Sequence, residues 1–406
     1  MNFKISDICE INSSNISAKD NYEYINYLDT SNLTEGVIDS IQKLVIGEDK
    51  IPSRAKRKVK KNDILISTVR PNQKHYGILR KLRENLIVST GFAVLSVNKD
   101  KVDAEYLYRF LTQDSVTNYL QAIGETSTST YPSIKPSDIG NLDIKLPTLQ
   151  EQKAIAKVLS DLDEKIETNN KINRTLEEMA QAIFKQWFVD FEFPNEEGKP
   201  YKSSGGEMVE SELGMIPKGW EISELGKIIE LFDFKRIPLS KNEREKREKI
   251  YPYYGAAALM DYVDNYIFDG IYILMGEDGT VVNDDGYPIL QYVWGKFWVN
   301  NHAHVIKGKC NIPDEFIYIL LRNTNVKTIV TGAVQPKINQ QNLKSLKIVL
   351  PSDKKMLVEY ENIVKRIFEQ IRVLADENEK LISIRDTLLP KLMSGEIRVP
   401  LSSIKN

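Results

Sequence analysis

Basic side chains mixed with amides form the most chemically suggestive pattern in this sequence. Residues 54–61 read R-A-K-R-K-V-K-K, which places six cations in eight positions. The segment 70–76 (R-P-N-Q-K-H-Y) follows shortly after it. Lys and Arg bind phosphates, and Arg, Asn and Gln make paired hydrogen bonds to base edges in the major groove. We therefore favour nucleic-acid binding for 54–83 over a basic surface that is merely solvated.

A second, looser basic cluster lies later in the chain. It begins with Lys235 and Arg236, continues through 241–249 and ends at the tyrosines of 251–254. The stretch 243–249 alternates Glu with Lys and Arg, a pattern that also occurs on helices whose charged face is simply solvated. For 241–249 alone, the sequence leaves nucleic-acid binding and a solvated helix equally open.

The sequence lacks the common catalytic motifs. It holds no G-x-x-x-x-G-K-[ST], G-x-S-x-G or H-E-x-x-H pattern, and no Asn-Pro-Pro-Tyr or Asp-Pro-Pro-Tyr tetrad. His302, His304 and Cys310 make at most a partial metal site, so we expect the two histidines to be structural or to touch a ligand. Glu277 and Asp278 are flanked by glycines, which favours a turn over a catalytic carboxylate pair. We predict no catalytic and no metal-binding residues.

The composition indicates a globular protein. The chain has 406 residues, 41% of them hydrophobic, and a net charge of −2, so any nucleic-acid binding must use local positive charge. Its two cysteines give no disulfide framework. No run approaches about 18 apolar residues, and the N-terminus has no signal-peptide pattern. We expect a soluble cytoplasmic protein that does not associate with membranes.

Two stretches have the heptad spacing of long helices that pair with another helix. In the first stretch the apolar seam positions are Ile155, Leu159, Leu162, Ile166, Leu176, Ile183 and Trp187. In the second they are Leu357, Tyr360, Val364, Ile367, Ile371, Leu374, Leu381, Leu388 and Leu392. Each helix would have about 38 residues and a length of roughly 57 Å. Asn169, Asn173 and Asn378 also fall on the seams, where a buried amide fixes the register of the pair.

The sequence before each helix is repeated as well. Residues 131–147 align without gaps on 335–351, with six identities in seventeen positions. Further upstream, four residues match at one constant offset: Ala93, Glu105, Tyr108 and Leu111 with Ala303, Glu315, Tyr318 and Leu321. The chain is thus one unit written twice. We predict an α+β fold in which two globular α/β domains alternate with two long helices, packed as an antiparallel coiled coil with a pseudo-twofold axis.

These patterns set the expected boundaries. We place the first globular domain at 1–147, the central helix at 148–193, a linker and the second globular domain at 194–350, the distal helix at 351–397 and a tail at 398–406. Within the first domain, 63–68 reads as a buried strand and 104–118 as one amphipathic helix capped by Asp103. Pro390 should kink or end the distal helix.

This doubled layout resembles the specificity (S) subunits of type I restriction–modification systems. The resemblance rests on I-P-K-G-W at 216–220, L-P-T-L-Q-E-Q at 146–152 and the seam helices, and it covers essentially the whole chain. It implies two target-recognition domains, each reading one half of a bipartite asymmetric DNA sequence. It also implies helices that set the spacing and dock two modification subunits. One departure is L-P-S-D-K-K at 350–355, which lacks the Gln-Glu-Gln of the first copy.

The resemblance further implies where the chemistry lies. This chain would hold no cofactor and no catalytic residue, because S-adenosylmethionine binds the partner methyltransferase subunits, and restriction/translocase subunits join the complex. The chain itself would bind double-stranded DNA. Residue type and loop position, rather than the resemblance, select the residues expected to contact DNA. In the first domain they are Lys56, Arg57, Lys58, Arg70, Asn72, Gln73, Lys74 and Tyr76. Those expected in the second domain are Lys235, Arg236, Tyr254, Asn301, His302, Gln335 and Lys337.

Two alternatives from other classes stay open at this point. One is a scaffold with two adaptor domains on a coiled-coil strut, which binds proteins only; the basic cluster at 54–61 counts against it. The other is a standalone enzyme that uses His302, His304 and Cys310. The sequence fixes neither the DNA target nor the spacer length, and it does not separate a restricting system from one that only methylates.

Overall fold

A computed structural model describes residues 2–17, 19–127, 130–309, 311–332 and 334–400. The chain divides into two compact units, which are described separately. Unit 1 comprises residues 1–167 and 379–406, and unit 2 comprises residues 168–378. Among the described residues, no helix is long and apolar enough to cross a membrane. Cys310 and most of the predicted tail, 401–406, lie outside the described residues.

Unit 1 combines short strands with short helices ahead of the first long helix. Its strands are β1 (Asn2–Lys4), β2 (Cys9–Ile11), β3 (Tyr24–Leu28), β4 (Leu33–Thr34), β5 (Val37–Ile38), β6 (Gln42–Val45), β7 (Ala55–Lys58), β8 (Ile64–Ser67), β9 (Tyr76–Ile78), β10 (Leu86–Ser89), β11 (Phe92–Val97) and β12 (Asp143–Lys145). Its helices are α1 (Ile5–Ile8), α2 (Ala104–Leu111), α3 (Asp114–Glu125), α4 (Pro136–Gly140) and the first part of α5 (Leu149–Phe184).

Two four-stranded sheets form the body of unit 1. One has the strand order β6-β3-β10-β7, in which β3 and β10 run parallel. The other has the order β2-β11-β8-β9. The central strand β8 (I-L-I-S) is buried along its whole length, as expected for a β-branched, apolar segment flanked by turns. Its residue Ile66 joins the core that includes α2 and the start of α5, while Leu65 faces a second core with β10.

Unit 2 begins within α5 and contains a matching set of elements. Its strands are β13 (Met208–Ser211), β14 (Gly214–Pro217), β15 (Trp220–Glu224), β16 (Ile229–Leu231), β17 (Tyr251–Tyr254), β18 (Leu259–Val263), β19 (Phe268–Asp269), β20 (Tyr272–Gly276), β21 (Leu290–Val293), β22 (Lys296–Val299), β23 (Ala303–Gly308) and β24 (Lys347–Pro351). Its helices are α6 (Lys241–Glu245), α7 (Asp314–Arg322), α8 (Gln340–Lys344) and the first part of α9 (Lys355–Ser394).

The sheets of unit 2 have the same topology as those of unit 1. Their orders are β18-β17-β22-β19, with β17 and β22 parallel, and β16-β23-β20-β21. Each order corresponds strand for strand to its counterpart in unit 1. The small pair β15–β24 likewise corresponds to β1–β12. The predicted internal repeat of two α/β units is therefore confirmed by strand order and direction, well beyond the seventeen aligned positions.

Both long helices contribute to both units. In unit 1, Ile155 and Leu159 of α5 share a core with Leu392 of α9. In unit 2, Phe184 of α5 lies in a core with Tyr360 of α9. Every seam position predicted from the heptad spacing is buried or half-buried, and none is exposed. The helices have 36 and 40 residues, close to the expected length.

Polar contacts between α5 and α9 show the relative direction of the two helices. In unit 2, the Asn169 side-chain amide donates to the Asn378 Oδ1 at 2.9 Å, and the Asn173 amide donates to the Ile371 carbonyl at 3.3 Å. In unit 1, Arg385 donates to the Asp163 Oδ1 at 2.9 Å. In unit 2, the residue number falls in α9 as it rises in α5, so the two helix segments of this unit are antiparallel.

Three local expectations were wrong. The predicted helix at 104–118 is two helices, α2 and α3, because the chain turns at Thr112 and Gln113; the Asp103 cap is present, with its Oδ1 accepting from the Tyr106 N–H at 3.0 Å. Of the two alternatives predicted for Pro390, the end of the helix is wrong, because α9 continues to Ser394, whereas a kink stays a prediction. Its last turn is held by the buried Leu392, which packs into the core of unit 1.

The third error concerns the upstream offset. The predicted equivalence of Ala93 and Ala303 is wrong by one residue, as the hydrogen bonds of strands β11 and β23 show. The Val94 N–H donates to Asn12 Oδ1 at 2.9 Å, and the Val305 N–H donates to Asp233 Oδ1 at 2.8 Å, so Val94 corresponds to Val305. Ala93 therefore corresponds to His304. In the following helix the offset returns to the expected value, since α2 and α7 begin at residues 104 and 314.

Candidate nucleic-acid interface

One contact recurs at the same place in both units. In unit 1, the loop after β8 meets the segment that starts at Pro132: the Arg70 N–H donates to the Pro132 carbonyl at 2.8 Å, and the Ile134 N–H donates to the Thr68 carbonyl at 2.9 Å. Thr68 and Arg70 directly follow the buried strand β8, and Pro132 and Ile134 directly precede α4. Each of the two backbone segments is therefore anchored at one end. We call this arrangement the P-x-I junction of unit 1.

Unit 2 repeats the arrangement after its central strand β20. The Gly279 N–H donates to the Pro336 carbonyl at 3.0 Å, and the Ile338 N–H donates to the Glu277 carbonyl at 2.9 Å. Pro132 and Ile134 are two of the identities in the sequence repeat with Pro336 and Ile338. The motif thus marks a structural junction in each unit, and several predicted site residues lie at it or beside it.

The backbone of both junctions passes through the left-handed region. Gly279 has φ +82°, which costs a glycine little, whereas its counterpart Arg70 has φ 48°. A non-glycine residue in this conformation costs roughly 1–2 kcal/mol. Strain of this kind clusters at functional sites, so it adds weight to the prediction for Arg70. The Arg70 guanidinium lies over the Tyr131 ring, 4.1 Å from its centroid, and is only half-buried.

The next residues of unit 1 extend this surface. Asn72 and Gln73 belong to a single 3-10 turn, Pro71–Gln73, and both are exposed. The backbone N–H of Asn72 donates to the Gln121 Oε1 at 3.2 Å, which ties the turn to α3. No hydrogen bond of either amide side chain to another described residue is present, so both are available to a partner molecule.

Two predicted residues of the same loop are already engaged within unit 1. Lys74 Nζ pairs with Asp114 at 2.9 Å and with Glu35 at 3.3 Å. Tyr76 is half-buried and packs edge-on against Tyr108, with ring centroids 6.3 Å apart. Burial raises the pKa of Tyr76 to about 12. These contacts suit residues that hold the loop in place better than residues that reach for a base.

The basic segment 54–61 lies on the other sheet of unit 1. Lys56, Arg57 and Lys58 belong to β7 at one edge of that sheet. Lys58 Nζ is 2.5 Å from the Asp20 Oδ1, and this hydrogen bond is the main reason that the pKa of Asp20 is lowered to about 2. Arg57 donates to the Asn15 Oδ1 at 3.1 Å. Lys56 is exposed, and among the described residues no ion pair involves it.

Unit 2 presents an aromatic residue beside a cation near its junction. Lys235 is exposed and sits over the rings of Phe232 and Phe234, 5.2 and 5.9 Å from their centroids. Phe234 is 77% exposed. Sequence reasoning singled out Lys235 but missed Phe234, although an aromatic residue next to a Lys-Arg pair is a signal for stacking on bases.

The other predicted residues of unit 2 are divided between the surface and its support. His302, Asn301 and Gln335 are exposed, and His302 Nδ1 lies 2.6 Å from Asp278 Oδ1. Lys337, also exposed, is 3.4 Å from Glu277 through its Nζ. The backbones of Asp278 and Lys337 form an isolated antiparallel β-bridge at the P-x-I junction itself.

Arg236 and Tyr254 have supporting positions. Arg236 is largely buried and donates to Glu277 Oε2 and to the Ala303 carbonyl, both at 2.6 Å. Tyr254 is half-buried in β17, edge-on to Phe297 with ring centroids 5.9 Å apart. Arg236 thereby holds the backbone at Ala303, next to the exposed His302, while the Tyr254 ring packs against the core of the unit.

Asp233, Glu277 and His304 bring three potential metal ligands within 4.8 Å of one another. Their ligand atoms already have partners: Glu277 binds Arg236 and Lys337, and both ring nitrogens of His304 face oxygen atoms. A bound cation would have to displace the Arg236 guanidinium. The donor set is therefore an ion-pair network. His302, which faces Asp278, is not part of it, so the two histidines do not form a shared ligand set.

Both units thus place cations, amides and an aromatic ring near a duplicated backbone junction. Sequence comparison with known proteins shows to which family the chain belongs. A sequence model of the family described as "Type I restriction modification DNA specificity domain" matches residues 1–178 and again residues 217–384. The chain belongs to this family.

Individual members of the family are similar over most of their length. The type I restriction enzyme MjaIX specificity subunit of Methanocaldococcus jannaschii is 30% identical over 359 residues, which cover 84% of this chain and 78% of the relative. The type I restriction enzyme HindI specificity subunit of Haemophilus influenzae is 27% identical over 423 residues, covering 86% and 89%.

A solved structure shares the fold. The crystal structure of the type-I restriction-modification system S subunit from M. genitalium matches with a TM-score of 0.55 and 18% sequence identity. The match covers 97% of this chain and 95% of that chain. The predicted identity as a type I specificity subunit, with a mixed α/β fold in two repeats, is confirmed at the level of family and fold.

Proposed function

We propose that this specificity subunit reads a bipartite, asymmetric sequence of double-stranded DNA, with one half read by each unit. The duplicated P-x-I junction carries the proposal, because the same backbone holds different side chains in the two units. Arg70 in unit 1 stands where unit 2 has Gly279, and Tyr131 stands where unit 2 has Gln335. Equal scaffolds with unequal side chains would read different half-sites, which makes the target asymmetric.

The base-reading residues of unit 1 would be those that the structure leaves exposed around the junction. We propose that Arg70, Asn72 and Gln73 face the bases, since their donors and acceptors suit base edges. Lys56 would contact phosphate. Arg57, Lys58, Lys74 and Tyr76 remain predicted DNA contacts, and their internal hydrogen bonds, ion pairs and packing favour a role in holding that surface.

In unit 2 the corresponding base readers would be Asn301, His302 and Gln335, while Lys235 and Lys337 would contact phosphates. Arg236 and Tyr254 remain predicted contacts whose burial favours a supporting role. Phosphate contacts make the affinity depend on salt, with a slope of about −0.9 in log K against log salt for each phosphate neutralised.

The remaining parts of the proposal concern the assembly. We propose that 1–147 and 194–350 are the target-recognition domains, and that the helices at 148–193 and 351–397 pair along their length as an antiparallel coiled coil that sets the distance between the half-sites. Two methyltransferase subunits, which bind S-adenosylmethionine, would dock on these helices, and restriction/translocase subunits would join them. This chain would supply no catalytic group and would work in the cytoplasm.

DNA titrations at several salt concentrations test whether the chain binds DNA at all. The complex with its modification subunits is mixed with labelled duplex, and binding is followed by fluorescence anisotropy. We expect binding that weakens steeply as salt rises, with a slope that becomes less steep by about 0.9 in Lys56→Ala. A failure to bind duplex at every salt concentration would instead favour a scaffold that binds proteins only.

A further inference from the structure

A buried charged network lies directly behind the P-x-I junction of unit 2. His304 is fully buried, and Asp233 is almost so. His304 Nδ1 lies 2.6 Å from Asp233 Oδ2, and His304 Nε2 lies 2.8 Å from the Ile338 carbonyl. Through His304, the junction segment is therefore connected to a carboxylate in the interior of the unit.

The other oxygen of Asp233 fixes the strand. Its Oδ1 accepts from the Val305 N–H at 2.8 Å, and its Oδ2 also accepts from Gln340 at 2.7 Å. Burial alone would raise the pKa of Asp233, but the hydrogen bond from His304, its charge, the Val305 N–H and Arg236 together leave this pKa below its ordinary value. Asp233 thus remains a carboxylate and can hold several donors at once.

Arg236 and Glu277 close the network on the side of the loop. Arg236 pairs with Glu277 at 2.6 Å, and its Nε donates to the Asp233 carbonyl at 3.0 Å. Glu277 also holds Lys337 through its side chain, and its backbone carbonyl accepts from the Ile338 N–H at 2.9 Å. Both peptide groups of Ile338, the residue after Lys337, are thereby fixed by the network.

Unit 1 lacks this network, which makes it an internal comparison. The N–H of Val94 is capped by Asn12 instead of an aspartate, and the position of His304 is occupied by Ala93, which has no polar side chain. The fold therefore forms with or without the network. Buried charged and polar groups are costly to place, so the presence of the network in one unit alone requires a local reason.

We propose that Asp233 and His304 are positioning residues that hold the Ile338 segment of unit 2, so that recognition of one DNA half-site depends on them. This inference rests on the proposed function. The hydrogen bonds from Asp233 through His304 to the Ile338 carbonyl, which we call the anchor, keep Lys337 and Gln335 at a fixed distance from Asp278 and His302 across the junction. Because base-edge hydrogen bonds require their geometry, a loosened segment would lose discrimination before it lost phosphate binding.

Two substitutions separate the effect of the hydrogen bond to Ile338 from the effect of the negative charge of Asp233. His304→Ala removes the donor to the Ile338 carbonyl. Asp233→Asn keeps an oxygen for the Val305 N–H and offers an amide donor to His304 Nδ1, so His304 can still donate to Ile338 from Nε2. We expect His304→Ala to relax specificity and Asp233→Asn to retain most of it.

The readout is methylation by the full complex, sequenced on DNA that carries single-base changes in either half-site. With His304→Ala, discrimination should fall about tenfold or more in one half-site only, as expected for the loss of a base-edge contact. Asn12→Ala, which removes only the side-chain cap of the Val94 N–H in unit 1, is the control and should leave discrimination in the half-site read by unit 2 unchanged. Equal relaxation of both half-sites by His304→Ala, or no relaxation, would overturn the inference.

A peripheral variant decides the matter if His304→Ala does not fold. Gln340→Glu replaces an exposed donor to Asp233 with a carboxylate, which repels it, and it should relax the same half-site as predicted for His304→Ala. Unchanged discrimination in a folded Gln340→Glu complex would then overturn the inference. If the wild-type complex methylates no bipartite sequence, the proposed function fails first, and the two failures are thus distinguished.

Discussion

The amide pair between the two long helices yields a quantitative prediction about the register of unit 2. Asn169 is fully buried; its Nδ2 donates to Asn378 Oδ1 at 2.9 Å and to Glu377 Oε2 at 2.7 Å. Asn378 in turn donates to Asn170 Oδ1 at 2.8 Å. The perturbation is Asn169→Leu, Asn378→Leu and the two combined.

The expected magnitudes follow from which polar atoms lose their partners. Either single change removes the hydrogen bond between the two amides and leaves the remaining amide with only its contact to Glu377 or to Asn170, which should lower the free energy of unfolding by about 1–3 kcal/mol. The double change removes both amides and fills the space with apolar side chains, so it should return to within about 1 kcal/mol of the wild type. The cycle should therefore show a coupling of at least about 1 kcal/mol.

Urea unfolding followed by circular dichroism measures the cycle. Thr175→Leu, at an exposed position of the same helix, is the control and should change the free energy of unfolding by less than about 0.5 kcal/mol. If the effects of the two single changes simply add in the double variant, the two amides do not act as a pair.

In the double variant we expect the stability of the fold to be kept while the register of the two helices becomes less well defined. A buried polar pair specifies alignment at a cost in stability, whereas leucines tolerate neighbouring alignments. The double variant should therefore stay folded but discriminate less sharply between DNA targets whose half-sites differ in spacing by one base pair. Methylation of a set of spacer variants measures this, and unchanged spacer preference would contradict the role of the amides.

Three further predictions concern unit 1. Arg70→Ala should relax one half-site while leaving the other unchanged, measured by methylation of half-site variants; equal loss of binding on unrelated DNA would make Arg70 a phosphate contact. Asp20→Asn should release Lys58 for phosphate, so the slope of log K against log salt for DNA binding should become steeper by up to about 0.9. The control is Asp39→Asn, the same charge change at an exposed carboxylate outside that ion pair, which should leave this slope unaltered. Leu159→Ala, at a fully buried helix position, should lower the free energy of unfolding by about 2–5 kcal/mol in denaturant titrations, and a change below about 1 kcal/mol would contradict its place in the core.

The duplicated architecture was predictable because periodicity and repetition are local signals in the sequence. The heptad seams required no knowledge of the fold, and residues such as Leu159 and Tyr360 are buried as predicted. The repeat of 131–147 at 335–351 was also legible, and the structure gives it a physical reason. Pro132 and Pro336, for example, offer carbonyls to the same loop of their units.

The offset near Ala93 failed for a different reason. One additional residue between a strand and the following helix leaves both elements intact. It changes the sequence offset between the two units by one for the strand relative to the helix. Ala93 and Ala303 therefore looked equivalent, while hydrogen bonds from Val94 and Val305 show that Ala93 corresponds to His304. Only the pairing of a strand with its neighbours fixes such a register.

The sequence indicated which residue types gather at the candidate site, but it did not indicate the contacts that each residue makes. Basic and amide residues pointed to DNA, yet the availability of each one depends on partners far away in sequence. Lys74 pairs with Glu35 and Asp114, and Arg236 with Glu277. No pattern in the sequence links these residues, because the fold alone brings them together.

The most direct test of the proposed function is to co-express the chain with its methyltransferase subunits and sequence the host DNA for methyladenine. We predict methylation of one bipartite, asymmetric sequence that appears only when this chain is present, and whose two halves respond separately to changes in unit 1 and unit 2. Methylation that is absent, or that follows a single undivided sequence, would contradict it.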